Sequence, residues 1–170
     1  MARAVVIDAG PLMVLAKLNL LHLLKQLYGQ VYFAEAVYHE VVTEGVHQGH
    51  ADAATLLQFL RQEAWQATTV TSMPSSILAA SLDRGERESI ALAVLHRALL
   101  LIDEEAGRST ARSVGLSVRG SLGVLIEAYH RKLIGSDQLR FYFAEIERRT
   151  DIWISPRLCR SLLAETLGDD

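Results

Sequence analysis

Short runs of branched and aliphatic residues alternate along this chain with stretches of helical periodicity, and that alternation restricts the fold more than any other feature. Ala4-Val-Val-Ile7, Val31-Tyr-Phe-Ala34, Thr68-Thr-Val70, Leu99-Leu-Leu-Ile102 and Leu116 to Arg119 read as strands. Apolar runs this short, without an apolar–polar alternation, suit strands covered on both faces. Between them, Leu12, Leu15, Ala16, Leu20, Leu23, Leu24 and Leu27 recur at helical spacing after Pro11, and Gly29 stops the pattern. Helices are expected over 35–44, 51–64, 86–97, 105–114, 121–132 and 136–149, with a last one opening at Ser155-Pro156. The Ser-rich stretch 71–85 reads as a loop holding one helical turn. Strands alternating with helices predict a parallel sheet with helices on both sides.

With 170 residues the chain suits a single domain, with a helical C-terminal extension over about 134–170. Half of its residues are hydrophobic and 22% are charged, which excludes wholesale disorder. A lone cysteine, Cys159, excludes an internal disulfide and a multi-cysteine zinc cluster, and fits a reducing cytoplasm. The longest apolar run, near Pro11–Leu24, is interrupted by Lys17, Asn19 and His22 and is too short to span a bilayer, so no membrane association is expected. Asp8 breaks the first apolar run too early for a secretory leader. The net charge of −3 gives no global attraction to nucleic acid, yet 14 of the 17 basic residues are arginine. Between Ala106 and Arg160, 10 basic residues face 5 acidic ones. That excess is either an ordinary solvated helix surface or a phosphate-facing one.

Two strands end alike, in Ile7-Asp8 and Ile102-Asp103. In open α/β sheets, ligands bind beyond the carboxyl ends of the strands. Two buried parallel strands that each end in aspartate would offer both carboxylates to one crevice. Taken singly, each is equally a turn or helix-cap residue. Glu40 lies within a helical segment beside Val41-Val42, and its plain reading is a solvated side chain. Glu86 and Glu88 occupy the first turn of a helix, where the helix dipole favours carboxylates in any case. They flank its apolar face about equally, so periodicity does not choose between them.

With Asp8, Glu40, Glu86 or Glu88, and Asp103 in this order, the chain resembles the PIN-domain ribonucleases. It is most similar to a VapC-like branch with a helical C-terminal extension, of the DUF3368 type. The likeness rests on Val5-Val-Ile-Asp8 with Ala9-Gly10-Pro11-Leu12, on 31–41, on Gly85-Glu86 through Ala93, on 100–108, on 120–125 and on Trp153 to Leu158. It covers nearly the whole chain. It implies a three-layer α/β/α, flavodoxin-like fold with a central parallel sheet of four or five strands. It further implies Mg²⁺ or Mn²⁺ as cofactor, and hydrolysis of RNA phosphodiester bonds by in-line attack of an activated water. Asp8 matches the first acidic position, Glu40 the second, Glu86 or Glu88 the third and Asp103 the fourth, with Glu104 as a possible helper. Many relatives carry Ser or Thr two residues after the first acid, where this chain has Gly10. The resemblance also implies the toxin role of a type II toxin–antitoxin pair, a small antitoxin partner and a homodimer.

The implied donor set is chemically coherent. Carboxylates about 4 Å apart repel by roughly 1–4 kcal/mol, so several in one crevice need a counter-charge. Oxygen-only ligands suit Mg²⁺ or Mn²⁺ rather than zinc. Arg84 and Arg87 flank the third acid, and Arg108 and Arg112 share a helix face after the fourth. These four, with Ser121 at a helix start, are candidate RNA contacts or else plain surface residues. The histidines near Glu40 (His39, His47, His50) fit no zinc spacing. Cys159 suits packing better than nucleophilic chemistry, and the Leu12–Leu27 leucines serve either the core or a dimer face. Two other functions compete with the toxin. One is a PIN fold that binds RNA or protein without cutting. The other is a housekeeping RNA-processing nuclease.

Overall fold

The computed structural model describes residues 2–168. The chain divides into two compact units, Met1–Gly120 and Ser121–Asp170. The first is built on a parallel sheet of β1 (Val5–Ile7), β2 (Leu99–Leu101) and β3 (Val118–Arg119), in that spatial order. The register pairs Ile7 with Leu101 and Leu101 with Arg119. All three strands therefore end on the same side of the sheet.

Among the described residues the sheet has three strands, not the expected four or five. The two missing ones are present only as single parallel bridges, Val6 to Tyr32 and Ala34 to Thr68. Tyr32 exchanges two backbone hydrogen bonds with β1, and Thr68 does the same with Phe33 and Glu35. The chain turns into a helix at Glu35 before a longer ladder can form.

Helices cover this sheet. α1 (Ala9–Lys17) and α2 (His22–Tyr28) are separated at Asn19, which takes a left-handed φ of 57° that asparagine tolerates better than most residues. Leu12, Leu15, Leu20, Leu23, Leu24 and Leu27 are all buried within the chain, so these leucines fill the core. α3 (Glu35–Tyr38) runs without a break into a π-helical stretch, His39–Glu44, and then into α4 (Gly45–His47). α5 (Ala51–Glu63) packs on α1 and on the π-helical stretch. The short α6 (Ser75–Leu78) precedes α7 (Arg84–His96), which packs on β1 and β2. α8 (Glu105–Ser113) lies against α7 and β3. Val6, Leu100 and Ile102 of the sheet meet Ile90, Leu92 and Ala93 of α7 and Ala111 of α8 in one buried cluster. Burying a side chain of this kind contributes about 1.5–3 kcal/mol.

The second unit holds α9 (Ser121–His130), α10 (Ser136–Arg148) and α11 (Pro156–Leu167), which pack on one another. Ser155 caps α11 by accepting from the Leu158 N–H at 3.3 Å. Cys159 is buried, which pushes its thiol up to about 11 and fits the packing role. No helix among the described residues is long and apolar enough to cross a membrane.

Candidate active site

The in-register pairing of β1 with β2 fixes where two of the acids emerge. Asp8 follows β1 directly, and its N–H donates to the Leu101 carbonyl at 2.9 Å. Asp103 leaves the same end of β2 two residues beyond Leu101. Glycines let the chain close around Asp103. A Cβ on Gly10 would stand 3.5 Å from Asp103 Oδ2, and one on Gly120 would stand only 2.8 Å from Asp103 Oδ1. At the second position a side chain would displace the Asp103 carboxylate, so glycine there leaves Asp103 its place.

Glu40 and Glu86 come from helices. Glu40 sits in the second position of the π-helical stretch, a local geometry that recurs at functional sites. It keeps solvent access, and its Oε2 lies 3.2 Å from where a Gly85 Cβ would be, with Asp83 Oδ1 3.4 Å from the same point. Glu40 and Asp83 thus face each other over a missing side chain. Asp83 also caps α7: its Oδ1 accepts from the Glu86 N–H at 2.8 Å, while the Asp83 N–H donates back to Glu86 Oε2 at 3.1 Å. This reciprocal pair holds the Glu86 carboxylate at the mouth of α7. A Cβ on Gly107 of α8 would lie 3.9 Å from Glu86 Cδ.

Burial first, and neighbouring carboxylates after it, raise the pKa of Asp8, Glu40 and Glu86. Asp8 is only 5% exposed, and burial pushes its pKa to about 7. The Ala9 N–H and the Ser89 hydroxyl oppose that rise, and the Asp83 and Glu86 charges add to it. Glu40 is raised by desolvation first, then by Asp83, Glu44 and Glu86. Desolvation also raises Glu86; the Asp83 N–H works against it, and the Asp83 and Glu104 carboxylates reinforce it. Charge interactions therefore link Asp8, Glu40, Asp83, Glu86 and Glu104 in one acidic field, and Asp103 follows the neighbouring strand β2.

Glu88 stands apart. It is 7% exposed, its Oε2 accepts from Arg84 Nε at 2.6 Å, and its Oε1 accepts from the Ala36 N–H at 3.3 Å. It ties α7 to the first turn of α3. Of the arginines, Arg84 is held by Glu88, and Arg87 donates to the Ala80 carbonyl at 3.0 Å. Arg108 donates to the Ile102 carbonyl at 2.9 Å, and Arg112 lies 3.8 Å from Glu105. Ser121 opens α9 and is fully buried.

Two residues of the crevice escaped the sequence reading. Asp83 was hidden because an Asp three residues before a Glu at a helix start is already explained as a capping box. Ser89 is completely buried and donates to Asp8 Oδ1 at 2.9 Å. A lone serine in a helix gives no signal of that contact.

Among the described residues, no three histidine, cysteine, aspartate or glutamate side chains stand close enough to hold a metal ion by themselves. The donor chemistry nevertheless fits a hard divalent cation. Every crevice donor is a carboxylate, the charges that act on them are largely one another's, and Mg²⁺ takes only one or two carboxylates directly and keeps several waters.

A parallel α/β unit with acids gathered at the carboxyl ends of its strands is a nuclease-type architecture. The DUF3368 family model, a PIN domain, matches residues 4–167, and the chain belongs to that family. PIN domains are generally nucleases that use divalent metals. No curated protein matches the chain.

Proposed function

We propose that this PIN domain is an Mg²⁺- or Mn²⁺-dependent endoribonuclease and the toxin of a type II toxin–antitoxin pair. The observation that supports catalysis most is Asp8, a buried carboxylate at a strand end whose strongest neighbouring charges are other carboxylates. Keeping it ionised is costly unless a cation enters. Asp8 and Asp103 are the direct donors in this reading. Glu86 is the third acid, because it lies in the electrostatic field of Asp8, whereas both oxygens of Glu88 are committed to Arg84 and Ala36. Glu40 and Glu104 would add negative charge to the field that attracts the cation.

A divalent cation, when bound, acidifies a water and offsets charge on the phosphodiester. The protein's own contribution is to hold the carboxylates fixed and to bring the backbone close. Gly10, Gly85 and Gly120 leave space where side chains would otherwise fill the crevice. Arg112 is half-exposed on α8 and is the better placed of the α8 arginines to meet RNA phosphate, since Arg108 is turned back onto the Ile102 carbonyl. The toxin role, the antitoxin and the homodimer rest on the VapC-like resemblance. An acidic crevice of this kind accepts a basic side chain from such a partner.

Purified full-length protein should cut single-stranded RNA with Mn²⁺ or Mg²⁺, stop on addition of chelator, and lose at least 100-fold of its rate in the Asp8→Asn variant. Full activity in that variant refutes the assignment. Growth arrest on expression, relieved by co-expression of the neighbouring gene, distinguishes a toxin from a housekeeping nuclease.

A further inference from the structure

Ser89 lies in the second turn of α7, outside the set of acids, with no part of its surface open to solvent. A buried hydroxyl needs a partner, and this one has Asp8 Oδ1 at 2.9 Å. Asp8 is thereby held at both ends: its backbone N–H by the Leu101 carbonyl at 2.9 Å, its carboxylate by the Ala9 N–H and by the Ser89 hydroxyl. An aspartate held only through its backbone can turn about its side-chain torsions, and a hydrogen bond from a residue itself locked in a helix removes that freedom. Charge-assisted bonds of this sort are among the stronger ones a neutral donor can make.

The turn after Asp8 makes this contact more consequential. Ala9 and Gly10 carry no hydroxyl, so no nearby side chain in that turn can orient the carboxylate. A side chain at Gly10 would in any case approach Asp103 rather than Asp8, since its Cβ would sit 3.5 Å from Asp103 Oδ2. Beside the Ala9 N–H, the side chain that orients the Asp8 carboxylate comes from α7, a helix that packs directly on β1. That same helix carries Glu86, so one rigid element sets the positions of two acids.

We propose that Ser89 is a positioning residue for Asp8: it fixes the carboxylate in the rotamer that presents it to a divalent cation. The cation part of this inference rests on the nuclease reading above; the orientation of Asp8 does not. Groups that hold a metal ligand typically change affinity by about 10–100-fold when removed.

The test uses the full chain as wild type, Ser89→Ala and Ser89→Thr, each checked for folding by near-ultraviolet circular dichroism. Titration with Mn²⁺ alone by calorimetry should show about 10-fold weaker binding for Ser89→Ala, with Ser89→Thr recovering most of it. Metal-free crystal structures of the wild type and Ser89→Ala should show Asp8 rotated or in two conformers only in the variant. Unchanged Mn²⁺ affinity in folded Ser89→Ala, or an Asp8 side chain that stays in place without the hydroxyl, overturns the proposal. Failure of the wild type itself to bind Mn²⁺ sinks the nuclease reading instead, and the crystal structures still decide the positioning role.

Discussion

A carboxyl group whose pKa lies near 7 inside a folded protein makes stability depend on pH in a fixed direction. Asp8 is raised from 3.8 to about 7, chiefly by burial. Below about pH 4 it is protonated in both folded and unfolded chains and contributes nothing. As pH rises through the interval up to 7 the unfolded chain releases the proton and the folded one keeps it, so stability falls, and it stays reduced above 7. Glu40 and Glu86 are raised too and push in the same direction. Metal-free Asp8→Asn should therefore be more stable than wild type at pH 8 by a few kcal/mol, since each tenfold difference in proton affinity between folded and unfolded chains is worth ~1.4 kcal/mol. Melting temperatures between pH 5 and 8 check this: the wild type should lose stability across the range and the variant lose clearly less. Parallel curves would contradict the burial of Asp8. At this scale, Asp8 and Asp103 were legible because a strand that ends in an acid announces its carboxylate. The choice between Glu86 and Glu88 was not legible, because it depends on Ala36 and Arg84, whose contacts with Glu88 exist only in the folded chain.

Element boundaries show which local rules the chain obeys. α5 ends at Ala64 with φ of 56°, and the Trp65 N–H closes on the Leu60 carbonyl at 2.9 Å. That is the helix-terminating geometry glycine normally occupies, and alanine holds it under strain. Ala64→Gly should stabilise the protein by ~0.5–1 kcal/mol. The corresponding rise in melting temperature is about 1–4 °C. No change or a loss would mean that the turn is not strained. Helix positions could be read from the sequence because apolar spacing near 3.6 residues is a strong signal. Two features could not. The segments around Tyr32 and Thr68 have strand-like residues but form only single bridges, because the ladder stops where Glu35 begins a helix. The π-helical turn at Glu40 has no composition signature, since it shifts hydrogen bonds by one residue without changing which residues favour a helix.

For the molecule as a whole, a net charge of −3 sets how RNA would be bound under the proposed function. Global attraction is absent, so affinity has to come from a few local contacts, and its salt dependence should be shallow. Each phosphate neutralised on a single strand adds about 0.7 to the slope of log affinity against log salt. Because Arg108 is engaged with the Ile102 carbonyl, replacing Arg108 and Arg112 together by alanine should lower that slope by about one phosphate, not two. Filter binding of catalytically silenced protein over a range of salt measures it; an unchanged slope would make both arginines ordinary surface. The broad architecture was visible in the alternation of strands and helices. The convergence of acids from helices and from two strand ends was visible only as an ordered set of short motifs. The central claim of the proposed function is that Asp8, Asp103 and Glu86 together seat a divalent cation. A crystal soaked in Mn²⁺ tests this most directly: an anomalous peak contacted by Asp8 and Asp103 with Glu86 nearby is the predicted result, whereas an ion seated on Glu88, or no ion in the crevice, would contradict it.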